Sequence, residues 1–138
     1  MRTQRIVFEG RLPTMNEIIA AQAPIFHAGS RRVSKYSEWK KARLAEMVLQ
    51  MRAQRIKPVD QYPVAVQITV YVKDRRHDPD NIIGGAQKFV FDALKHGGII
   101  RNDGWSELVL PDHTLGGRWL FVDPHPRVEV TLVEDAPT

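Results

Sequence analysis

The chain has 138 residues, enough for one globular domain (1–138) and too few for a second large one. Hydrophobic residues at 43% and charged residues at 26% match neither a disordered nor a membrane-embedded chain, and the lack of cysteine excludes disulfide frameworks, thiolate metal sites and cysteine nucleophiles. Twenty Lys and Arg against sixteen Asp and Glu leave +4, a mild basic excess that permits a polyanionic partner without requiring one.

The first ten residues carry charge every few positions without an apolar core, and no 18 apolar residues run together anywhere, so a cytoplasmic location is expected. Residues 5–9 alternate through Ile6 and Phe8 at the period of a half-buried strand. A short helical turn is predicted near 16–21. Residues 34–55 place Tyr36, Trp39, Leu44, Met47, Val48 and Met51 at three-and-four spacing, predicting a helix with Ser34 as N-cap. The clearest strand is 64–72, where Val64, Val66, Ile68, Val70 and Val72 fall on one face. A second long helix is predicted over 79–96, opened by Asp78-Pro79 and closed by Gly97-Gly98. Strands are expected at 118–122 and 127–133, joined by a turn with two prolines, and 134–138 reads as a loose tail. This order predicts an α+β fold, a small mixed β-sheet packed with two main helices.

Charge is segregated along the chain. Between Arg31 and Lys57 nine Lys or Arg face only Glu38 and Glu46, a local +7 that leaves the rest net acidic. Such a segment suits a phosphate backbone, because bound cations release condensed counterions; it also describes a solvated helix face. Arg31, Arg32, Lys35, Lys40 and Lys41, with Arg75 and Arg76 further on, are the candidate DNA contacts. Tyr36 and Trp39 can stack on unpaired bases, but their helical spacing favours core packing.

The strand at 64–72 runs through Asp74-Arg75-Arg76-His77 into Asp78-Pro79-Asp80-Asn81 and the second helix. Two carboxylates two positions apart at a strand-to-helix junction can aim at one spot, and hard oxygen ligands suit Mg²⁺ or Mn²⁺. The alternative is Asp78 as N-cap with Asp80 in the first turn, favoured by the helix dipole. Asn81, Lys88, Asp92 and Lys95 share one stripe of that helix, and Gly84 and Gly85 leave bare surface that a backbone or a nucleic-acid strand can approach. Asp92 stands twelve positions past Asp80, about 18 Å along a helix, so it reads as a partner for Lys88 or another cation. The loop after Gly97 is long enough to bring Asp103 back to Asp78 and Asp80, where a divalent cation would offset their repulsion. His77 reads as a phosphate contact, a base or an exposed loop residue.

Together, Asp78-x-Asp80-Asn81, Lys88, Asp92-Ala93-Leu94, Gly98 and Asp103 resemble the signature of the RusA family of Holliday junction resolvases, chiefly over residues 64–109. The resemblance implies a homodimeric, Mg²⁺-dependent endonuclease that nicks four-way DNA junctions symmetrically. It implies Asp78, Asp80 and Asp103 as metal-binding catalytic carboxylates and Lys88 as a lysine at the scissile phosphate. Four additional residues around 82–85 keep Lys88 on the same helix face but move it about 6 Å along. Two other functions fit the residues: a phosphoesterase acting on another nucleic acid or nucleotide, and a noncatalytic DNA-binding module.

Overall fold

The computed structural model describes residues 2–22, 35–109 and 119–134. In chain order its elements are β1 (Thr3–Glu9), α1 (Met15–Gln22), α2 (Lys35–Ala53), β2 (Val64–Val72), α3 (Pro79–His96), β3 (Leu108–Val109), β4 (Leu120–Val122) and β5 (Arg127–Glu134). They make a small α+β fold, three helices with a mixed five-stranded sheet. Among the described residues no helix is long and apolar enough to cross a membrane.

Strand β2 is the hub because its inward positions, Val64 through Val72, are all buried. β5 runs antiparallel to both β1 and β2, while β3 and β4 pair parallel with opposite ends of β2 on its other edge. The registers align Ile6 with Val130 and Ile68, and Phe8 with Val128 and Val70, so apolar side chains form continuous rows on one face. The other face carries polar pairs: Arg5 meets Glu129 at 2.7 Å, and the Arg127 guanidinium lies 3.7 Å from the centre of the Tyr71 ring.

The two long helices close the core. α2 buries Tyr36, Leu44, Met47, Val48 and Met51, whereas Trp39, expected on the same side, remains 40% exposed with its ring 5.8 Å from that of Phe89. α3 buries Ile82, Ala86, Phe89, Val90, Ala93 and Leu94, and Ile83 packs partly buried against the same core. The Gln54 side chain bonds both the N–H and the C=O of Val7 at 2.7 Å, and the Gln50 side chain accepts from the Glu9 N–H at 2.8 Å. These glutamines satisfy the edge of β1 as a neighbouring strand would.

The weakly signalled turn at 16–21 is the helix α1, started by a reciprocal cap: Thr14 Oγ1 accepts from Glu17 N–H at 3.2 Å and Glu17 Oε1 accepts from Thr14 N–H at 3.0 Å. β3 has two residues, too few to show an alternation in sequence. The strand expected at 118–122 is observed as Leu120–Val122, and Glu134, expected to open a loose tail, is instead the buried last residue of β5, held by Arg2 at 2.8 Å; Ser34, residue 118 and residues 135–138 lie outside the described residues.

Candidate functional site

Strand β2 ends at Val72, and six residues later Asp78 opens α3. Asp78 holds the N-cap position with extended backbone (φ −68°, ψ 147°), and its carbonyl accepts from Ile82 N–H at 3.1 Å. Its carboxylate, however, makes no capping hydrogen bond. Asp78 and Asp80 are both exposed, two positions apart in the first turn, where the dipole of an 18-residue helix favours negative charge. The capping alternative is therefore met by the backbone and leaves the carboxylate of Asp78 unspent.

The neighbouring motif residues act through packing. Asn81 Oδ1 accepts from the Asn16 N–H at 2.8 Å, which docks the start of α1 on the start of α3. Gly85 permits that docking: a Cβ there would lie 1.9 Å from the Pro13 carbonyl oxygen. The close approach suggested by the bare helix surface is thus a backbone, the Pro13–Thr14 segment, and not a ligand.

Asp103 does not return to the helix start within one chain. After Gly97, Gly98 adopts φ +73° and turns the chain, and Ile99 and Ile100 are buried at once beneath Val59, whose N–H donates to Ile99 O at 2.8 Å. The loop is pinned at the C-terminal end of α3, and Lys95 Nζ lies 3.2 Å from Asp103. Lys95 is fifteen positions from Asp80, about 22 Å along the helix. Among the described residues, no three His, Asp or Glu side chains group as a metal cage.

Asp92 pairs with Lys40 at 2.6 Å and with Lys95 at 3.7 Å, so of the two expected partners, Lys88 or another cation, it is other cations that it meets. Burial works against the charge on Lys40, but the hydrogen bond and attraction from Asp92 outweigh it and raise its pKa. That ammonium is committed to a helix–helix contact and is a poor candidate for DNA. Lys88 is half-buried, eight positions past Asp80, and has no ion-pair partner among the described residues.

The remaining basic candidates divide. Lys41 and Arg75 are exposed without ion pairs among the described residues; Arg76 is held loosely by Asp74 at 3.8 Å. Lys35 is the first residue of α2, and Arg31 and Arg32 lie outside the described residues. Trp105, two positions past Asp103 and unremarked in sequence, is fully exposed.

Two concavities flank the loop between β2 and α3. One, of about 260 Å³, lies between that loop and the 10–14 segment, walled by Arg11, Val70, Arg76, Ile82 and Ala86 among others. The other, more open and about 440 Å³, includes Asp78, Pro79 and Val122. Val72, Asp74, His77 and Ile82 line both, so the two adjoin across the loop. The 10–14 wall was missed in sequence, although Thr14-x-x-Glu17 is a capping-box pattern. Arg11 completes it by gripping Glu17 with both guanidinium nitrogens, and this pair holds the Glu17 carboxyl down to about 2.

No protein-family model matches the chain, and no curated protein matches it.

Proposed function

We propose that this protein is a metal-dependent, structure-selective endonuclease of the RusA type, acting as a homodimer on branched DNA. The observation that carries the reading is the Asp78–Asp80 pair: two exposed carboxylates at a helix start, the first free of capping, beside a cleft and the cations of the 73–77 loop. Hard oxygen donors of this kind fit Mg²⁺ or Mn²⁺. When bound, such an ion supplies Lewis acidity and a nucleophilic water near neutral pH.

The chain's own residues hold and orient. Asp78 and Asp80 hold the ion, while the N–H groups of the first turn of α3 favour a phosphate oxygen nearby. Arg75, Arg76 and Lys41 bind the backbone of the arms. Lys88, about 12 Å along the helix from Asp80, reaches a neighbouring phosphate rather than the same ion. Because Asp103 stands at the far end of α3, a three-carboxylate site is completed by Asp103 of the partner subunit. Two-fold symmetry then gives two such sites, matched to the near two-fold symmetry of a four-way junction.

Incubation with a labelled four-way junction and a linear duplex tests this. Mg²⁺-dependent paired nicks in the junction alone, lost in Asp80→Asn, are expected; unaltered cleavage by Asp80→Asn contradicts the site. The Lys95–Asp103 pair favours a second reading, a noncatalytic DNA-binding module, whose mark is junction binding without cleavage at any Mg²⁺ concentration.

A further inference from the structure

The cavity of about 260 Å³ has a division of chemistry that the metal centre does not use. Its floor is apolar: Val70, Ile82, Ala86 and Val128 are each at most 7% exposed. Its rim is cationic. Arg11 is committed to Glu17, but Arg76 is held only at 3.8 Å, and Lys73 has no ion pair among the described residues. His77, half-buried, stands beside them on the loop, and among the described residues Asp74 is the one acidic residue in the lining. Inorganic phosphate would leave the floor unfilled, and an uncharged apolar ligand would leave the rim unused. A nucleotide satisfies both, with a flat base for the floor and a phosphate for the rim.

We infer that this cavity receives the base of the nucleotide next to the scissile phosphate, drawn out of its stack, with its own phosphate on Lys73, Arg76 and His77. The inference rests on the endonuclease reading for the phosphate placed at Asp78 and Asp80; the nucleotide-shaped cavity itself does not depend on it. Its placement follows from the lining: His77 lines both the cavity and the adjoining cleft, and the next residue, Asp78, lines the cleft. A strand with one phosphate at Asp78 and Asp80 therefore presents its neighbouring nucleotide to the cavity. Removing a base from a duplex costs a few kcal/mol and least where it is already unpaired, as at a branch point. Selectivity for branched over linear DNA would then arise at this cavity from the ease of unstacking, without base-specific contacts.

The test uses the full chain and the probes deoxyadenosine and deoxycytidine 5′-monophosphate, with inorganic phosphate as control, followed by methyl NMR. The nucleotides are expected to shift the methyls of Ile82, Ala86 and Val128, phosphate alone to leave them in place, and the exposed-rim double variant Lys73→Ala/Arg76→Ala to bind about 10-fold more weakly. In a junction held uncut with Ca²⁺, 2-aminopurine beside the cut site is expected to brighten on binding. Unmoved methyls, shifts reproduced by phosphate alone, or unchanged 2-aminopurine emission would each overturn the inference. If nucleotides fill the cavity and junctions stay uncut, the pocket stands and the endonuclease reading falls. If junctions are cut with the methyls unmoved, the reverse holds.

Discussion

The Lys95 ammonium sits 3.2 Å from the Asp103 carboxylate, at the opposite end of α3 from Asp80. The contact belongs to a chain of charges, Lys40 to Asp92 to Lys95 to Asp103, that runs from α2 across α3 into the following loop. It keeps the third candidate carboxylate neutralised and away from its own Asp78 and Asp80. A metal that recruits Asp103 must compete with Lys95 for it.

Lys95→Ala is therefore expected to lower the Mg²⁺ concentration at which cleavage is half-maximal. Both partners are about one-third exposed, so removing the pair costs little stability, on the order of 0.2–1 kcal/mol. A shift toward higher Mg²⁺ would show that Lys95 assists the site instead.

Lys40 and Lys41 are neighbours in sequence with different fates. Lys40→Ala is expected to cost stability, about 1 kcal/mol or somewhat more because both side chains of its pair are less than a quarter exposed, with little effect on DNA affinity. Lys41→Ala is expected to leave the melting temperature in place, weaken junction binding and reduce the salt slope by about 0.9. Thermal melts and salt titrations of the two variants separate these outcomes.

Gly84 and Gly85 are expected to respond to alanine with opposite signs. At Gly84 the nearest neighbour of a Cβ is the flexible end of Met15 at 3.4 Å, so Gly84→Ala should stabilise α3 by roughly 0.5–1 kcal/mol. At Gly85 the Cβ would strike the Pro13 carbonyl at 1.9 Å, and Gly85→Ala should destabilise by about 1–3 kcal/mol or more as α1 is pushed off α3. Chemical denaturation of both variants is the check.

Glu17 makes α1 sensitive to acid. Its folded pKa, about 2, lies below the ordinary 4.5, chiefly because Arg11 hydrogen-bonds the carboxylate. A lowered folded pKa contributes stability that is complete above about 4.5 and is lost as pH falls toward 2. Protection factors of the α1 amides, with the intrinsic pH dependence of exchange divided out, should fall across that window in the native chain and show no such pH step in Glu17→Gln.

The fold was legible where periodicity is strong. Residues 64–72 and 79–96 form as read, because alternation and a Pro–Gly bracketed helix are local properties. β3 was not legible, since two residues recruited by the edge of β2 carry no pattern of their own. At the candidate site, the spacing of Asp78 and Asp80 placed both correctly at a helix start. The return of Asp103 failed within one chain because loop length sets only an upper limit on reach. Burial of Ile99 and Ile100, a tertiary effect, decided where the loop goes. The role of Lys40 likewise depends on α2 crossing α3, which no single-segment pattern encodes.

The most direct measurement is junction cleavage by Asp80→Asn, by Asp103→Asn, and by an equimolar mixture of the two after subunit exchange. Each variant alone should lose at least the roughly 100-fold typical of disturbing a metal site. In the mixed dimer, one site pairs native Asp78 and Asp80 with a native Asp103 from the other chain. The mixture should therefore regain activity in about a quarter of all sites and cut one strand rather than two. Mg²⁺-dependent recovery of single nicks is the predicted result; a mixture as inactive as its components, or a native protein that leaves the junction intact, would contradict it.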